Sequence, residues 1–311
     1  MSAANALLGK IVSLKIDISS KNKVRISLDS HITIVSDVSG SGKTYIHDIL
    51  KIYKKSRIPV SCNLPIRVVD TLEQLNSITE ESLIVMDESC DCLSENTKEV
   101  QSIINSLNSV FLIFTRDEQF KEVPYSVDDI KVIHRYKGTI NLVSKYQKFC
   151  QVPYEKLTKF FIEDSTSGFT FFKLIFQDLK STFGKDKYTD IFPCKEPTLF
   201  IFDRCGFGNS CENFYNLFKD DNNMYVLDYE SFEYMLLDYM HLVEHPDYRV
   251  FNKEGFYESL ICKYLPQYGK TLNCDCFISC NHCAKCMYKD EFLNAVKILK
   301  STEYKYLLEV I

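Results

Sequence analysis

Val35-Ser36-Asp37-Val38-Ser39-Gly40-Ser41-Gly42-Lys43-Thr44 stands between two segments of opposite character. Ahead of it, Ser30 to Val35 is a short β-branched run. Behind it, Tyr45 to Ile52 carries apolar residues at helical spacing, so the glycines turn a strand into a helix. In that context the stretch reads as a phosphate-binding loop. Gly40 and Gly42 have access to backbone angles closed to other residues, which lets successive N–H groups curl round phosphate oxygens at the positive end of the following helix. Lys43 is then expected to reach the β- and γ-phosphates and the Thr44 hydroxyl to hold Mg²⁺, with Ser39, Ser41 and Tyr45 completing the residues against the nucleotide. The pattern G-x-x-x-x-G-K-[ST] is met except at its first position, where Asp37 stands in place of glycine. An anion pointing inward there would repel phosphate, so Asp37 is expected to turn away or to bond loop amides. The plain alternative is a Gly/Ser-rich turn that carries a lysine by chance.

A second signature follows at Glu81-Ser82-Leu83-Ile84-Val85-Met86-Asp87-Glu88. An apolar run ending in two acids predicts a buried parallel strand that delivers both carboxylates to the carboxyl edge of a sheet, where ligands bind in such folds. It looks like a Walker B segment, in which Asp87 positions Mg²⁺ and Glu88 orients or deprotonates the attacking water. The alternative for Asp87 is a cap on the next helix. Ser109 to Arg116 repeats the design and is expected to be the neighbouring strand. Its end presents Thr115 or Arg116 for sensing the γ-phosphate, and the competing reading pairs Arg116 with Asp117 or Glu118 on the surface.

The rest of the first half is sheet-forming. Ile11 to Ile16 and Val24 to Leu28 alternate as a hairpin, Pro65 to Val69 reads as a strand, and Thr71 to Thr79 as a short helix. Lys131 to Val143 is a final hairpin turning at Lys137-Gly138. With both motifs in this order, residues 1–145 resemble the P-loop ATPases that carry a catalytic glutamate, a divergent relative of the ABC, SMC and OLD-type proteins. The resemblance implies ATP and Mg²⁺ as cofactors and Mg²⁺-dependent hydrolysis, with Glu88, Lys43 and Arg116 as the catalytic residues. An early β-hairpin of this kind helps to cradle the base in such proteins. No LSGGQ-like signature and no long heptad segment is present, which argues against a transporter motor.

Residues 146–158 are polar and contain Pro153, so the junction is expected there and a second α/β domain over 159–311. Strands are predicted at Lys159 to Glu163, Thr198 to Asp203 and Asn223 to Glu233, each ending in acids, with helical spacing from Phe169 to Leu179. The order of strand, Glu163, glycine-bearing loop, helix and strand-ending Asp203 looks like a Toprim domain, which follows the ATPase domain in OLD-type nucleases. That implies Mg²⁺ shared by Glu163 and Asp203, with Glu230 or Glu233 nearby. Toprim domains usually read Asp-x-Asp where this chain has Asp203-Arg204-Cys205, so a ligand is lost. Strand-end acids are also common helix caps.

The third signature, residues 274–286, sets Cys274 and Cys276 ahead of a C-x-x-C-x-x-C run of Cys280, Cys283 and Cys286. Several thiolates that close together suit Zn²⁺, with one cysteine or His282 spare; an iron–sulfur cluster and unligated thiols are the rivals. Residues 290–308 have a helical pattern.

At 311 residues, a net charge of −5 provides no overall basic field, so any DNA contact would be a local patch. No apolar run approaches the ~20 residues that span a bilayer, and neither a membrane partner nor a secretion signal is expected. The thirteen cysteines are therefore expected to be reduced apart from one metal cluster, in a cytoplasmic protein. The function expected is an ATP-binding ATPase whose further partner is a protein, DNA or a second copy in a homodimer. A nucleotide-controlled switch with little turnover and an ATP-gated nuclease are the alternatives.

Overall fold

The computed structural model describes residues 7–90, 93, 97–116, 125–146, 156–165, 167–173, 176, 178–185, 187–229, 231 and 248–250. The chain forms two compact units, Met1–Gln147 with His245–Phe256, and Lys148–Glu244 with Tyr257–Ile311. It is an α/β protein whose strands pair mostly in parallel. Among the described residues no helix is long and apolar enough to cross a membrane.

The first unit contains β1 (Leu7–Lys10), β2 (Val12–Asp17), β3 (Lys23–Leu28), β4 (Ile32–Ser36), α1 (Lys43–Ile52), β5 (Val60–Cys62), β6 (Ile66–Val68), α2 (Leu72–Asn76), β7 (Leu83–Asp87), α3 (Thr97–Ser106), β8 (Val110–Thr115), β9 (Ile130–Tyr136) and β10 (Thr139–Ser144). Nine of its strands form one sheet in the order β5-β2-β3-β10-β9-β4-β8-β7-β6. β1 lies outside that sheet and pairs antiparallel with Tyr248–Val250.

β4, β7 and β8 are buried at every position, as the central strands of a parallel sheet covered on both faces are. The β2–β3 hairpin is instead half-buried: Val12, Leu14 and Ile16 point inward opposite Leu28, Ile26 and Val24, while Ser13 and Lys15 face outward. Ile46, Ile49 and Leu50 on α1 join Val35, Val85, Leu112 and Phe114 in the core. α2 begins at Thr71, whose hydroxyl accepts the Gln74 N–H, and it stops at Asn76, short of the expected Thr79.

β9 turns into β10 through Lys137 (φ 47°) and Gly138 (φ 79°), where the hairpin was expected to turn. Lys23 N–H donates to Gly138 O (2.9 Å), and a Cβ on Gly138 would stand 2.0 Å from the Lys21 carbonyl oxygen. Gly138→Ala therefore meets a strained backbone angle and a rigid clash. It is expected to lower stability by roughly 1–3 kcal/mol, read as a lower urea midpoint; an unchanged midpoint would contradict this packing.

The second unit contains β11 (Lys159–Ile162), α4 (Ser167–Lys173), β12 (Lys180–Ser181), β13 (Thr198–Asp203), α5 (Arg204–Phe207), α6 (Cys211–Phe218) and β14 (Met224–Tyr229). Its sheet runs β12-β11-β13-β14, parallel throughout. Aromatic rings fill its core: Phe202 stacks on Phe207 (4.1 Å between centroids), and Phe214 packs on Phe200 and Tyr188 (5.3 Å each). The helix expected to reach Leu179 is described as far as Lys173; Phe176, whose N–H donates to Phe172 O (2.8 Å), stacks on Phe160, and Leu179 leads directly into β12.

Cys62 and Cys194 are free, and burial pushes the Cys194 thiol up to about 11. Cys90 departs from the expected reduced state, being disulfide-bonded. Cys274, Cys276, Cys280, Cys283, Cys286, Glu230, Glu233 and the helical pattern over 290–308 also lie outside the described residues.

Candidate functional site

β4 ends at Ser36 and α1 starts at Lys43, so the glycine-rich loop hangs from the carboxyl end of a fully buried central strand. Asp37 turns its carboxylate into the base of the loop: Oδ1 accepts the Val38 N–H (2.7 Å) and Oδ2 accepts the Ile133 N–H of β9 (3.0 Å). This is the arrangement expected of an acid at that position. It fastens the loop to β9 and uses the negative charge on amides.

Gly40 (φ 85°) and Gly42 (φ 109°) both occupy the left-handed region, and Gly42 is the residue from which α1 departs. Ile46 N–H donates to Gly42 O (3.1 Å), which leaves the amides ahead of it in the first turn without a helical acceptor. A Cβ at Gly40 would meet nothing within 4 Å, so open space lies over the loop. Lys43 is 6% exposed, and its ammonium donates to the carbonyl oxygens of Asp37 and Val38. Ser41 Oγ is buried and makes no hydrogen bond, a donor at the loop with nothing to donate to. Thr44 and Tyr45 are exposed on the first turn of α1.

β8 lies between β4 and β7, with Ser36 level with Thr115 and Asp87 level with Phe114. The three strand ends therefore share one edge, as expected for Ser109 to Arg116 beside Leu83 to Asp87. Asp87 is buried, and its Oδ1 accepts from the Ser89 N–H (3.2 Å) and hydroxyl (3.3 Å). Glu88 and Arg116 form an ion pair (3.0 Å). The surface pairing weighed for Arg116 involved Asp117 or Glu118, which lie outside the described residues; its partner within them is Glu88. A cleft of about 290 Å³ is lined by residues 39–45, Glu88 and Arg116. Nine of the ten residues expected at the nucleotide thus border one cavity, and the tenth, Asp87, ends the strand just before Glu88.

Sequence reasoning did not single out the cations on the other flank of β4. Lys145 Nζ donates to Ser36 Oγ (3.1 Å) at the end of the strand, and Arg135 on β9 approaches Gly42. The signal for Arg135 was present in the alternation of β9, two positions beyond the inward-facing Ile133.

In the second unit, β11 and β13 are parallel neighbours and Glu163 N–H donates to Ile201 O (2.9 Å), so Glu163 and Asp203 stand at adjacent strand ends. Asp203 caps α5 by accepting the Gly206 N–H (2.9 Å). Asp228, on β14, is buried in an ion pair with Arg204. Among the described residues no three His, Cys, Asp or Glu side chains gather as a metal-binding group. Asp228→Asn would take the Asp228 charge away from the buried Arg204 guanidinium. The expected cost is about 3–5 kcal/mol, seen as loss of the second unit's cooperative unfolding at a lower denaturant concentration; a change below ~1 kcal/mol would contradict it.

No protein-family model matches this chain, and no curated protein matches it either.

Proposed function

We propose that the first unit binds ATP with Mg²⁺ through the loop at residues 39–45 and hydrolyses it at Glu88. The observation that carries this reading is the single cleft in which the glycine-rich loop, with its buried Lys43 and its unsatisfied Ser41 hydroxyl, faces Glu88 and Arg116. The donors fit a phosphate chain: first-turn amides, the Ser41 hydroxyl and one ammonium, over a glycine that leaves room for the ligand. Phosphate oxygens would compete with the Asp37 and Val38 carbonyls for the Lys43 ammonium and win on charge. The Thr44 hydroxyl and the Asp87 carboxylate are hard oxygen donors of the kind Mg²⁺ takes, and the ion would offset charge on the phosphates.

Glu88 supplies the base. Its carboxylate takes a proton from water as the oxygen attacks the terminal phosphorus and the bond from that phosphorus to the bridging oxygen breaks, ADP leaving with that oxygen, while Lys43 and Arg116 balance the charge that spreads over the phosphoryl oxygens. For that, Glu88 must exchange Arg116 for water. The same ion pair favours a second reading, a nucleotide-controlled switch with little turnover until a partner draws Arg116 away. The nuclease alternative is weakened by the commitments of Asp203 to a cap and of Asp228 to Arg204. In the second half the cysteine run, Cys274 to Cys286, would hold Zn²⁺ through its thiolates.

The test is steady-state phosphate release from Mg²⁺–ATP, with and without DNA. Turnover that Lys43→Ala removes supports the ATPase. Saturable ATP binding with no turnover under either condition supports the switch instead.

A further inference from the structure

We propose that Arg135 is a second cation of the nucleotide site, taking the phosphates nearest the nucleoside from the flank of β4 opposite Glu88 and Arg116. The inference rests on the reading of the loop as a nucleotide site and deepens it.

β9 pairs with β4 only at Ile130 and Lys131, opposite Ile34 and Val35. Beyond that point the Asp37 carboxylate holds the Ile133 N–H, and His134, Arg135 and Tyr136 run past the end of β4, carried by β10 through pairs such as Arg135 with Ile140. The overhang therefore flanks the loop that β4 feeds. Its start is fixed too: buried Asp129 accepts from the Ser30 hydroxyl (2.5 Å) and the Ser126 N–H (2.8 Å), tying the approach to β9 to the approach to β4.

Residues two apart on a strand share a face. Ile133 packs on the core that contains Ile46 and Ile49 of α1, and Ile140, opposite Arg135, belongs to that same core. Arg135 thus stands on the α1 face, where the loop turns over. The contact is short: a Cβ placed on Gly42 would lie 3.9 Å from Arg135 Nη2. Arg135 is exposed, and no hydrogen bond or ion pair joins its guanidinium to another described residue. A guanidinium held beside such a loop with its donors unspent suits phosphate, which it can grip with two parallel N–H bonds.

The flank decides which phosphate. β8 and β9 lie on opposite sides of β4, so a phosphate chain whose terminal group reaches Glu88 and Arg116 directs its nucleoside end toward β9. Arg135 then contacts a part of the ligand that ATP and ADP share.

Calorimetric Kd values for Mg²⁺–ATP and Mg²⁺–ADP in wild type, Arg135→Ala, Arg135→Lys and Lys43→Ala test this. Arg135→Ala is expected to weaken both nucleotides by a similar factor, about 10- to 100-fold, with Arg135→Lys recovering part of the loss. Its melting temperature without nucleotide should match wild type, because the side chain is exposed. Unchanged affinity in Arg135→Ala, where wild type binds and Lys43→Ala does not, overturns the proposal and leaves the loop reading standing. Loss of ATP affinity with ADP affinity intact overturns the assignment to the nucleoside side. Absence of nucleotide binding by wild type overturns the loop reading itself.

Discussion

Lys43→Ala is expected to abolish stabilisation of the protein by Mg²⁺–ATP. A ligand that binds only the folded state stabilises it by mass action, about 2.7 kcal/mol at a hundred times Kd. For a unit of this size that corresponds to a rise of roughly 5–10 °C in melting temperature for wild type. The Lys43 ammonium is the one positive charge buried in the loop's own fold, held between the Asp37 and Val38 carbonyls above the first turn of α1. Alanine removes that charge and leaves the glycine angles and the α1 amides in place. Each protein is compared with its own nucleotide-free melting temperature, since the variant also loses its hydrogen bonds to the loop carbonyls. Equal gains from ATP in wild type and variant would remove the loop from the account.

Glu88→Gln is expected to lower ATP turnover about 10²- to 10⁴-fold while ATP affinity stays within a few-fold of wild type. Glutamine keeps the shape and can still orient water, but it cannot accept the proton. The substitution also ends the ion pair with Arg116, which is largely exposed, so the cost in stability should stay under ~1 kcal/mol. Loss of turnover at retained affinity identifies Glu88 as the base. Full turnover in Glu88→Gln would place the base elsewhere.

Much of the first unit was legible because its strands differ in how they are buried. Leu83–Asp87 and Val110–Thr115 read as apolar runs and Ile32–Ser36 as a β-branched one since both faces of the sheet are covered there, and Asp87 and Glu88 mark the end of the strand. The two hairpins read by alternation because one of their faces is wet. Beyond the neighbouring of β7 and β8 the order of the sheet was not legible: β10 joins β3 in parallel, Thr139 beside Lys23, through a pairing that no local pattern encodes. Lys180–Ser181 and Tyr248–Val250 are too short to show a period.

At the site, the loop and the two acids were readable as motifs, each contained in a few consecutive residues. Asp37 was foreseen only in kind, because its second partner, Ile133, arrives from 96 positions along the chain. The Glu88–Arg116 pair and the approach of Arg135 to Gly42 depend on the same long-range pairing of strands. In the second unit the ambiguity of a strand-end acid is physical, since the carboxylate that can hold a cation also caps a helix. Asp203 is found capping α5.

A crystal structure with Mg²⁺ and a non-hydrolysable ATP analogue tests the nucleotide site most directly. The analogue's phosphates are expected in the cleft over residues 39–45, with the Lys43 ammonium moved from the Asp37 and Val38 carbonyls onto phosphate oxygen and the terminal phosphate toward Glu88. An analogue bound elsewhere on the chain, or a cleft without density at millimolar analogue, would contradict it.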